Sequence, residues 1–424
     1  MTERNIDIAI IGGGAAGLTA AARCAEAGAR TLVVERMERL GGVLRQCIHN
    51  GFGLHYFKEE MTGPEYASRV HRMAEKAGAG FMLESTVVEI TPEKDGGHCL
   101  LVYSHADGVV RLHAKAVILA MGCRERCRGN LGIPGDRTAG VYSAGAAQQM
   151  LNMEGMLPGR RAVIVGSGDI GLIMARRLTW CGVKVECVIE IMPYPAGLSR
   201  NIAQCLEDFG IPLYLGTGVT GIHGVPRVQY VTYAPLVDGK PDLARERRVD
   251  CDTVLFSVGL VPENELSREC GCRINPLTNG AWVDGALMTS VPGIFSCGNV
   301  LHVHDLVDFV SQEAERCADS AVAYSRRSGD GHGSEPMADV TPGDGVRYVV
   351  PNRVAPQQEN RLLLRSRNVM ESAEVAVCDE KGKTIVRRKL RYVKPAEMLE
   401  VRLPAFQMDD GTKAALTVTL QEVK

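Results

Sequence analysis

The sequence predicts an α/β protein in which one parallel-sheet domain is inserted in another, followed by a small β domain. Three observations predict it. A strand–glycine turn–helix–strand pattern at residues 6–35 returns at residues 162–190. Each copy carries glycines at GxGxxG spacing in its turn. Beyond a polar, Gly- and Pro-rich break at residues 326–345, only short strand-like runs follow.

In the first copy, Ile6 to Ile11 is an apolar strand and Gly12 to Gly17 the turn. Leu18 to Ala27 is alanine-rich and helical, Gly28 is a helix stop, and Thr31 to Glu35 is the next strand. Ala114 to Gly122 reads as a buried strand ending in a glycine turn. In the second copy, Ala162 to Val165, Gly166 to Gly171, Leu172 to Cys181 and Val183 to Glu190 repeat the order, and Cys251 to Gly259 is the counterpart of residues 114–122. A short strand then runs into Gly298-Asn299, and Leu306 to Tyr324 is helical. These elements place a discontinuous first domain at 1–145 and 285–330, an inserted second domain at 146–284, a linker at 331–345 and a β domain at 346–424.

The chain has 424 residues, 45% hydrophobic and 23% charged, with a formal net charge of -2. That is ample for buried cores, and its balance argues against nucleic acid or an anionic membrane as main partner. No apolar run reaches the ~18–20 residues of a membrane span, and residues 5–11 read as a core strand rather than a signal peptide. The 14 cysteines are scattered, unlike a secreted disulfide framework, so a cytoplasmic location is expected.

The first turn is built for a pyrophosphate. Gly12 permits the tight turn, Gly14 lets the backbone approach the phosphates, and Gly17 lets helix and strand pack closely. The helix start, with Ala15 and Ala16, offers unpaired N–H groups and a positive dipole end to an anion. Glu35, followed by Arg36, ends the second strand, where a carboxylate accepts bonds from ribose hydroxyls. The bland alternative is a glycine-rich βα turn without a ligand.

Gly12 to Gly17, Glu35 and the following Gly41-Gly42 resemble the FAD-binding start of the pyridine nucleotide-disulfide oxidoreductase superfamily. Ala120-Met121-Gly122 resembles that superfamily's Ala-Thr-Gly turn, and residues 289–299 its segment returning to the flavin. The resemblance covers residues 5–325 and implies FAD as cofactor. It puts Gly298 and Asn299 at the ribityl chain, where the superfamily usually has Asp, and the Val87 backbone at the adenine.

The second turn repeats the spacing with Gly166, Gly168 and Gly171, with Ile170 at the helix start and Gly259 closing the counterpart strand. Glu190 stands where the adenine ribose of a nicotinamide dinucleotide would lie. A 2′-phosphate usually meets an Arg there, and no basic residue follows Glu190 before Arg200, so NAD is expected over NADP. Where the resembled family often has Glu two positions after the last glycine, this chain has Ile173. A degenerate, empty domain is the alternative.

A superfamily dithiol is not apparent. The CxxxxC layout after Gly41-Gly42 offers only Cys47, and no CxxC occurs in the second domain. Cys47, with Arg45 and His49 as neighbours, is either a redox thiol or a small packed residue. Cys123 and Cys127 read as incidental despite nearby arginines, and Cys270 and Cys272, in a polar stretch, as chemically silent. His302 and His304, in H-x-H-D, suggest a metal, but no third ligand can be named, so no metal is expected. A role beside reduced flavin, with the following helix start at Asp308 to Ser311, is expected instead.

Residues 46–67, 122–130, 166–178 and 298–314 resemble more narrowly a bacterial FAD/NAD oxidoreductase group that accompanies anaerobic glycerol-3-phosphate dehydrogenase-like flavoproteins. Subunits of sarcosine oxidase, opine dehydrogenase and hydrogen cyanide synthase are distant relatives. The resemblance extends to residues 348–351 and 395–398. It implies an electron-transferring subunit as much as a stand-alone enzyme. Hydride transfer between NAD(H) and flavin is expected, with electrons passing to or from an unidentified acceptor, for which other flavoprotein or cysteine-rich redox subunits are candidates. The rivals are a thiol or disulfide reductase using Cys47 and a docking subunit with structural cofactors.

Overall fold

The computed structural model describes residues 2–94, 96–327, 337–407 and 415–423. The chain forms two compact units, residues 1–123 with 262–424, and residues 124–261.

The first unit is organised by a sheet in the order Gly80–Met82, Thr31–Val34, Thr2–Ile11, Gly108–Leu119, His98–Ser104, Ser85–Pro92. Ile294–Ser296 joins the far end of Gly108–Leu119 in parallel. Alternation along the central strands sends side chains to opposite faces. Ile8, Ile10 and Ile118 enter a core with the helices Ala15–Glu26, Gly63–Ala77 and Val307–Ser325. Ala9, Ile11, Val117 and Leu119 enter a second core on the other face. Both faces are covered, which is why these strands read as continuous apolar runs.

The second unit has a parallel sheet in the order Val141–Ser143, Thr253–Phe256, Arg161–Val165, Lys184–Ile189, Leu213–Tyr214. The helices Ala144–Met153 and Asp169–Trp180 contribute Ala147, Leu172 and Leu178 to one of its cores. An antiparallel sheet of Thr217–His223, Tyr230–Val237 and Arg247–Asp250 contributes Ile222 and Val231 to another.

The division falls at residues 124 and 261, not at the expected 146 and 284. Val141–Ser143 pairs in parallel with Thr253–Phe256, so the chain before the second glycine turn belongs to the second sheet. Residues after 261 return to the first unit, where Asn264 donates to the Val300 carbonyl at 2.7 Å and Cys272 joins the core.

The expected linker is part strand: Ala338–Pro342 pairs in parallel with Ala415–Glu422, while residues 331–336 lie outside the described residues. The C-terminal strands form two sheets around a core including Val340, Val349, Leu362, Val375 and Val418. They do not stand apart from the first unit. Tyr348 and Val350 enter its core, and the Asn352 N–H donates to Val283 O at 2.9 Å.

Candidate functional site

The first glycine turn leaves the strand Thr2–Ile11 and enters the helix Ala15–Glu26 through Gly14, with no side chain capping the helix. A Cβ at Gly12, where φ is +104°, would lie 2.5 Å from Ala120 O, and one at Gly17 would lie 1.8 Å from Gly12 O. The protein itself therefore demands those two glycines. A Cβ at Gly14 would meet nothing within 4 Å. The bare helix start and the open space at Gly14 fit a dinucleotide pyrophosphate approaching from outside.

Several sequence-predicted positions gather around this turn. The Glu35 carboxylate is buried and accepts the Gly13 N–H at 2.6 Å and the Met37 N–H at 2.8 Å. Arg36 is exposed beside it. The Gly41 N–H donates to Gly13 O at 2.8 Å, and Gly42 packs against Gly14. The Ala120 N–H donates to Ile11 O, and Gly122, at φ +73°, accepts from the Glu263 N–H. The Ser85 N–H donates to Glu35 O, which starts the strand carrying buried Val87 beside the Glu35 end. Ala15 and Ala16 open the helix, and a Cβ at Gly298 would lie 2.9 Å from Ala16 Cβ. The return segment thus closes on the same turn.

His302 and His304 are buried, and both bond one residue that the sequence reading missed. His302 Nε2 lies 2.9 Å from Glu313 Oε2, and His304 Nε2 lies 3.1 Å from Glu313 Oε1. Glu313 Oε1 also accepts the Gly298 N–H at 2.7 Å, and Asn299 Oδ1 accepts the His304 N–H at 3.0 Å. Burial works against the Glu313 charge, yet the two imidazoles hold its carboxyl well below the usual range. Burial, and then His304, hold the His302 pKa below its ordinary value. The three ligand atoms lie within 4.8 Å of one another, so Glu313 is the third group that the sequence could not name for a metal. Each of them is already engaged within the cluster.

The helix start foreseen near Asp308 begins at Val307. Asp308 accepts from the N–H groups of Gly53, His55 and Tyr56, and Ser311 bonds Tyr66 and Thr19. Those two side chains are thus tied to the protein. The two C-terminal stretches singled out by resemblance meet here as well. Arg365 donates to the Tyr348 hydroxyl, to Pro395 O and Val303 O at 3.1 Å each, and pairs with Asp305. Nothing in local composition marks Arg365, whose partners are distant in the chain, or Glu313, which reads as one more charged residue of its helix.

Cys47 is only 4% exposed. Its thiol donates to Val43 O at 3.3 Å, and burial pushes its pKa up to about 12. A thiol so buried and protonated has the features of the packed residue among the two sequence readings. Cys123 lies 3.7 Å from Asn299 Nδ2, whereas Cys127 is exposed.

In the second unit, a Cβ at Gly166 would lie 2.2 Å from Ser257 O and one at Gly171 would lie 2.6 Å from Ser257 Cβ. Gly168 precedes the helix Asp169–Trp180, which no side chain caps and in whose first turn Ile170 is partly exposed, and Gly259 follows the counterpart strand at φ +96°. Buried Glu190 accepts the Ser167 N–H at 2.8 Å, the Ser167 hydroxyl at 2.6 Å and the Met192 N–H at 2.9 Å. This matches the Glu35 arrangement, so the repeat extends to hydrogen bonding. Two differences stand out. Asp169 occupies the first helical turn, its carboxylate accepting the Leu198 N–H and Asn201 Nδ2–H. A cavity of about 460 Å³ adjoins the same strand end, since the Glu190 N–H donates to Tyr214 O, and Arg245, Glu246 and Arg247 line it with Tyr214, Thr217 and Tyr233 among others. Counting basic residues only as far as Arg200 missed these two arginines.

The arrangement has relatives. The family model described as pyridine nucleotide-disulphide oxidoreductase matches residues 6–322, and the chain belongs to that family. Enzymes of this family are FAD-dependent oxidoreductases that use NAD(P)H. The hydrogen cyanide synthase subunit HcnB of Pseudomonas protegens is 28% identical over 284 residues, 63% of this chain and 59% of the relative. An opine oxidase subunit of Agrobacterium tumefaciens is 26% identical over 63% of this chain and 55% of its own length. The thioredoxin reductase of Treponema pallidum is 26% identical over 70% of this chain and 90% of its own. The solved thioredoxin reductase of T. acidophilum shares the fold at a TM-score of 0.63, with 23% identity, covering 76% of this chain and 98% of that one. The chain spans 55% to 66% of the length of the hydrogen cyanide synthase and opine oxidase subunits that it matches. No helix among the described residues is long and apolar enough to cross a membrane.

Proposed function

We propose that this protein binds FAD at the first turn and NAD(H) at the second, and passes electrons on to an acceptor outside the chain. The observation that carries this reading is the repeated constellation: a glycine turn, an uncapped helix start and a buried glutamate bonded back to the turn, present in both units. When bound, the nicotinamide and flavin supply the hydride chemistry themselves. The chain's residues bind and orient. Gly12, Gly14 and Gly17 admit the FAD pyrophosphate, and Glu35 lies at its ribose. Gly298 and Asn299, held by Glu313 and His304, line the flavin side. In this reading His302 and His304 position the return segment from behind and touch no reacting atom. Gly166, Gly168, Gly171 and Glu190 do the corresponding work for NAD(H).

The acceptor is read as a partner protein. Support comes from the similarity to HcnB and to the opine oxidase chain, both named as subunits, and from the resemblance to companions of glycerol-3-phosphate dehydrogenase-like flavoproteins. A Cys47 thiol reductase finds no support in the buried, protonated thiol, and residues 124–261 contain no CxxC. Anaerobic mixing of the flavin-loaded protein with NADH tests the reading. Rapid bleaching of the flavin bands is expected, and a flavin that stays oxidised would leave the structural-cofactor rival as the better account.

A further inference from the structure

The helix Glu265–Glu269 ends in a backbone motif that fixes two cysteines side by side. Cys270 is its cap, Gly271 follows at φ +85°, and Cys272 comes next. The Gly271 N–H donates to Arg268 O at 3.0 Å and the Cys272 N–H to Ser267 O at 2.8 Å, the paired bonds of a Schellman ending. A left-handed residue is needed at the middle position, and glycine adopts it without strain. This backbone leaves the two sulfurs 3.6 Å apart. Their proximity is therefore built into the helix end. It is within side-chain rotation of the about 2.05 Å of a disulfide. The polar residues around them concealed this in the sequence.

The two thiols differ. Cys270 is partly exposed and Gly271 exposed, whereas Cys272 is 6% exposed in the core beneath. The bond between the sulfurs holds the Cys270 thiol below its ordinary pKa and, with burial, raises that of Cys272. An accessible, more acidic thiol thus sits over a buried one, the order required for attack and resolution. The Cys272 thiol also bonds Thr289 Oγ1 at 3.3 Å, and the Arg273 N–H donates to Ser290 Oγ at 2.7 Å. The pair therefore rests on the start of the segment that leads to Gly298.

We propose that Cys270 and Cys272 form a reversible dithiol–disulfide site for small-molecule disulfides of the glutathione class. The Cys270 thiolate attacks one sulfur of the oxidised compound. A mixed disulfide forms on Cys270, the original S–S bond breaks, and one thiolate leaves and takes up a proton. Cys272 then loses its proton and attacks Cys270 Sγ. The Cys270–Cys272 bond forms, the mixed disulfide breaks, and the second small thiol leaves. Two protein thiols give up two electrons and two protons, and one disulfide becomes two thiols. Cys272 loses its bond to Thr289 in the oxidised form.

The site is testable by mass, because Arg268 and Arg273 bracket a tryptic peptide, residues 269–273, that holds both cysteines and no others. The full chain is equilibrated with glutathione at ratios from fully reduced to fully oxidised, denatured, alkylated with iodoacetamide and digested. Doubly alkylated peptide is expected at the reduced end. At the oxidised end the peptide should carry no alkyl group and be lighter by two hydrogens, reverting after dithiothreitol. In the Cys272→Ser variant, which lacks the resolving thiol, glutathione should remain on Cys270. Double alkylation of the wild-type peptide at every ratio would overturn the proposal, whether or not the variant folds.

Discussion

Glu190 and Ser167, 23 residues apart, share two hydrogen bonds: the Ser167 N–H and hydroxyl both donate to Glu190 Oε2, at 2.8 and 2.6 Å. The strand-end glutamate thus shapes the second glycine turn. Ala196 donates its N–H to the same Ser167 hydroxyl, so the covering segment depends on the pair too.

NADH is expected to reduce the flavin faster than NADPH at equal concentration, because the Glu190 carboxylate opposes a 2′-phosphate. Glu190→Gln is the informative change, since it removes charge while retaining an oxygen that accepts from Ser167. It should narrow the preference by about tenfold, equivalent to ~1.4 kcal/mol, as read by anaerobic stopped-flow bleaching. A wild-type preference for NADPH would transfer the specificity argument to Arg247 on the neighbouring cavity. Arg245 is less suited, being paired with Asp242 at 2.7 Å.

Two glycines of the first turn should separate folding from cofactor binding. Gly14 has φ -80°, and its added Cβ would meet no protein atom, so Gly14→Ala should fold normally. Its methyl would occupy the path of the pyrophosphate, and flavin content after purification should fall at least tenfold. Gly12→Ala would place a carbon 2.5 Å from Ala120 O at a positive φ, which should destabilise the fold itself, by at least about 1–3 kcal/mol. Full flavin retention in Gly14→Ala would remove this turn from the FAD site.

The legible parts of this molecule were local ones. Glycine spacing, the apolar runs and the acidic strand ends all lie within 35 residues of chain in each copy, so turn, helix and sheet could be placed. The unit boundary at 124 was hidden because Val141–Ser143 is a three-residue strand whose partner, Thr253–Phe256, lies more than 100 residues on. Glu313 was hidden although its partners lie only 9, 11 and 15 residues away. On the helix Val307–Ser325 it reads as one more charged residue, and only the fold brings His302, His304 and Gly298 onto it. Arg365 reaches Asp305 across 60 residues and carries no motif.

Cys47 should be unreactive in the folded protein. With its pKa pushed up to about 12 and its side chain buried, almost no thiolate exists at pH 8. Alkylation at that pH should leave Cys47 unmodified until denaturant is added. Cys47→Ser should keep NADH-driven bleaching and turnover, with stability lowered by about 1–3 kcal/mol for a buried hydroxyl with changed hydrogen bonding. Rapid labelling of Cys47 in the native state, or loss of turnover in the serine variant with normal flavin reduction, would restore the thiol-reductase account.

The His302–Glu313 cluster sets a sign for the dependence of stability on pH. His302 is held below its ordinary pKa of 6.5 in the fold, by burial first and then by His304, with Glu313 opposing and Arg365 assisting. As pH falls through 6.5, the unfolded chain takes up a proton that the folded one refuses, so stability present above that pH is progressively lost. Glu313 adds a second loss of the same sign below its ordinary value of 4.5, because its folded pKa lies well beneath it. His98, also depressed by burial, acts in the same direction as His302. The urea midpoint should therefore fall between pH 7.5 and 5.5, and further at pH 4. His302→Gln, which does not titrate but can still donate to Glu313, should start from a lower midpoint and show a shallower fall between 7.5 and 5.5. It should keep part of the slope through His98. A wild-type midpoint that is flat or rises on acidification across that first interval would show that His302 is charged in the fold. The cluster would then hold the return segment as an ion pair rather than by a carboxylate accepting from a neutral imidazole.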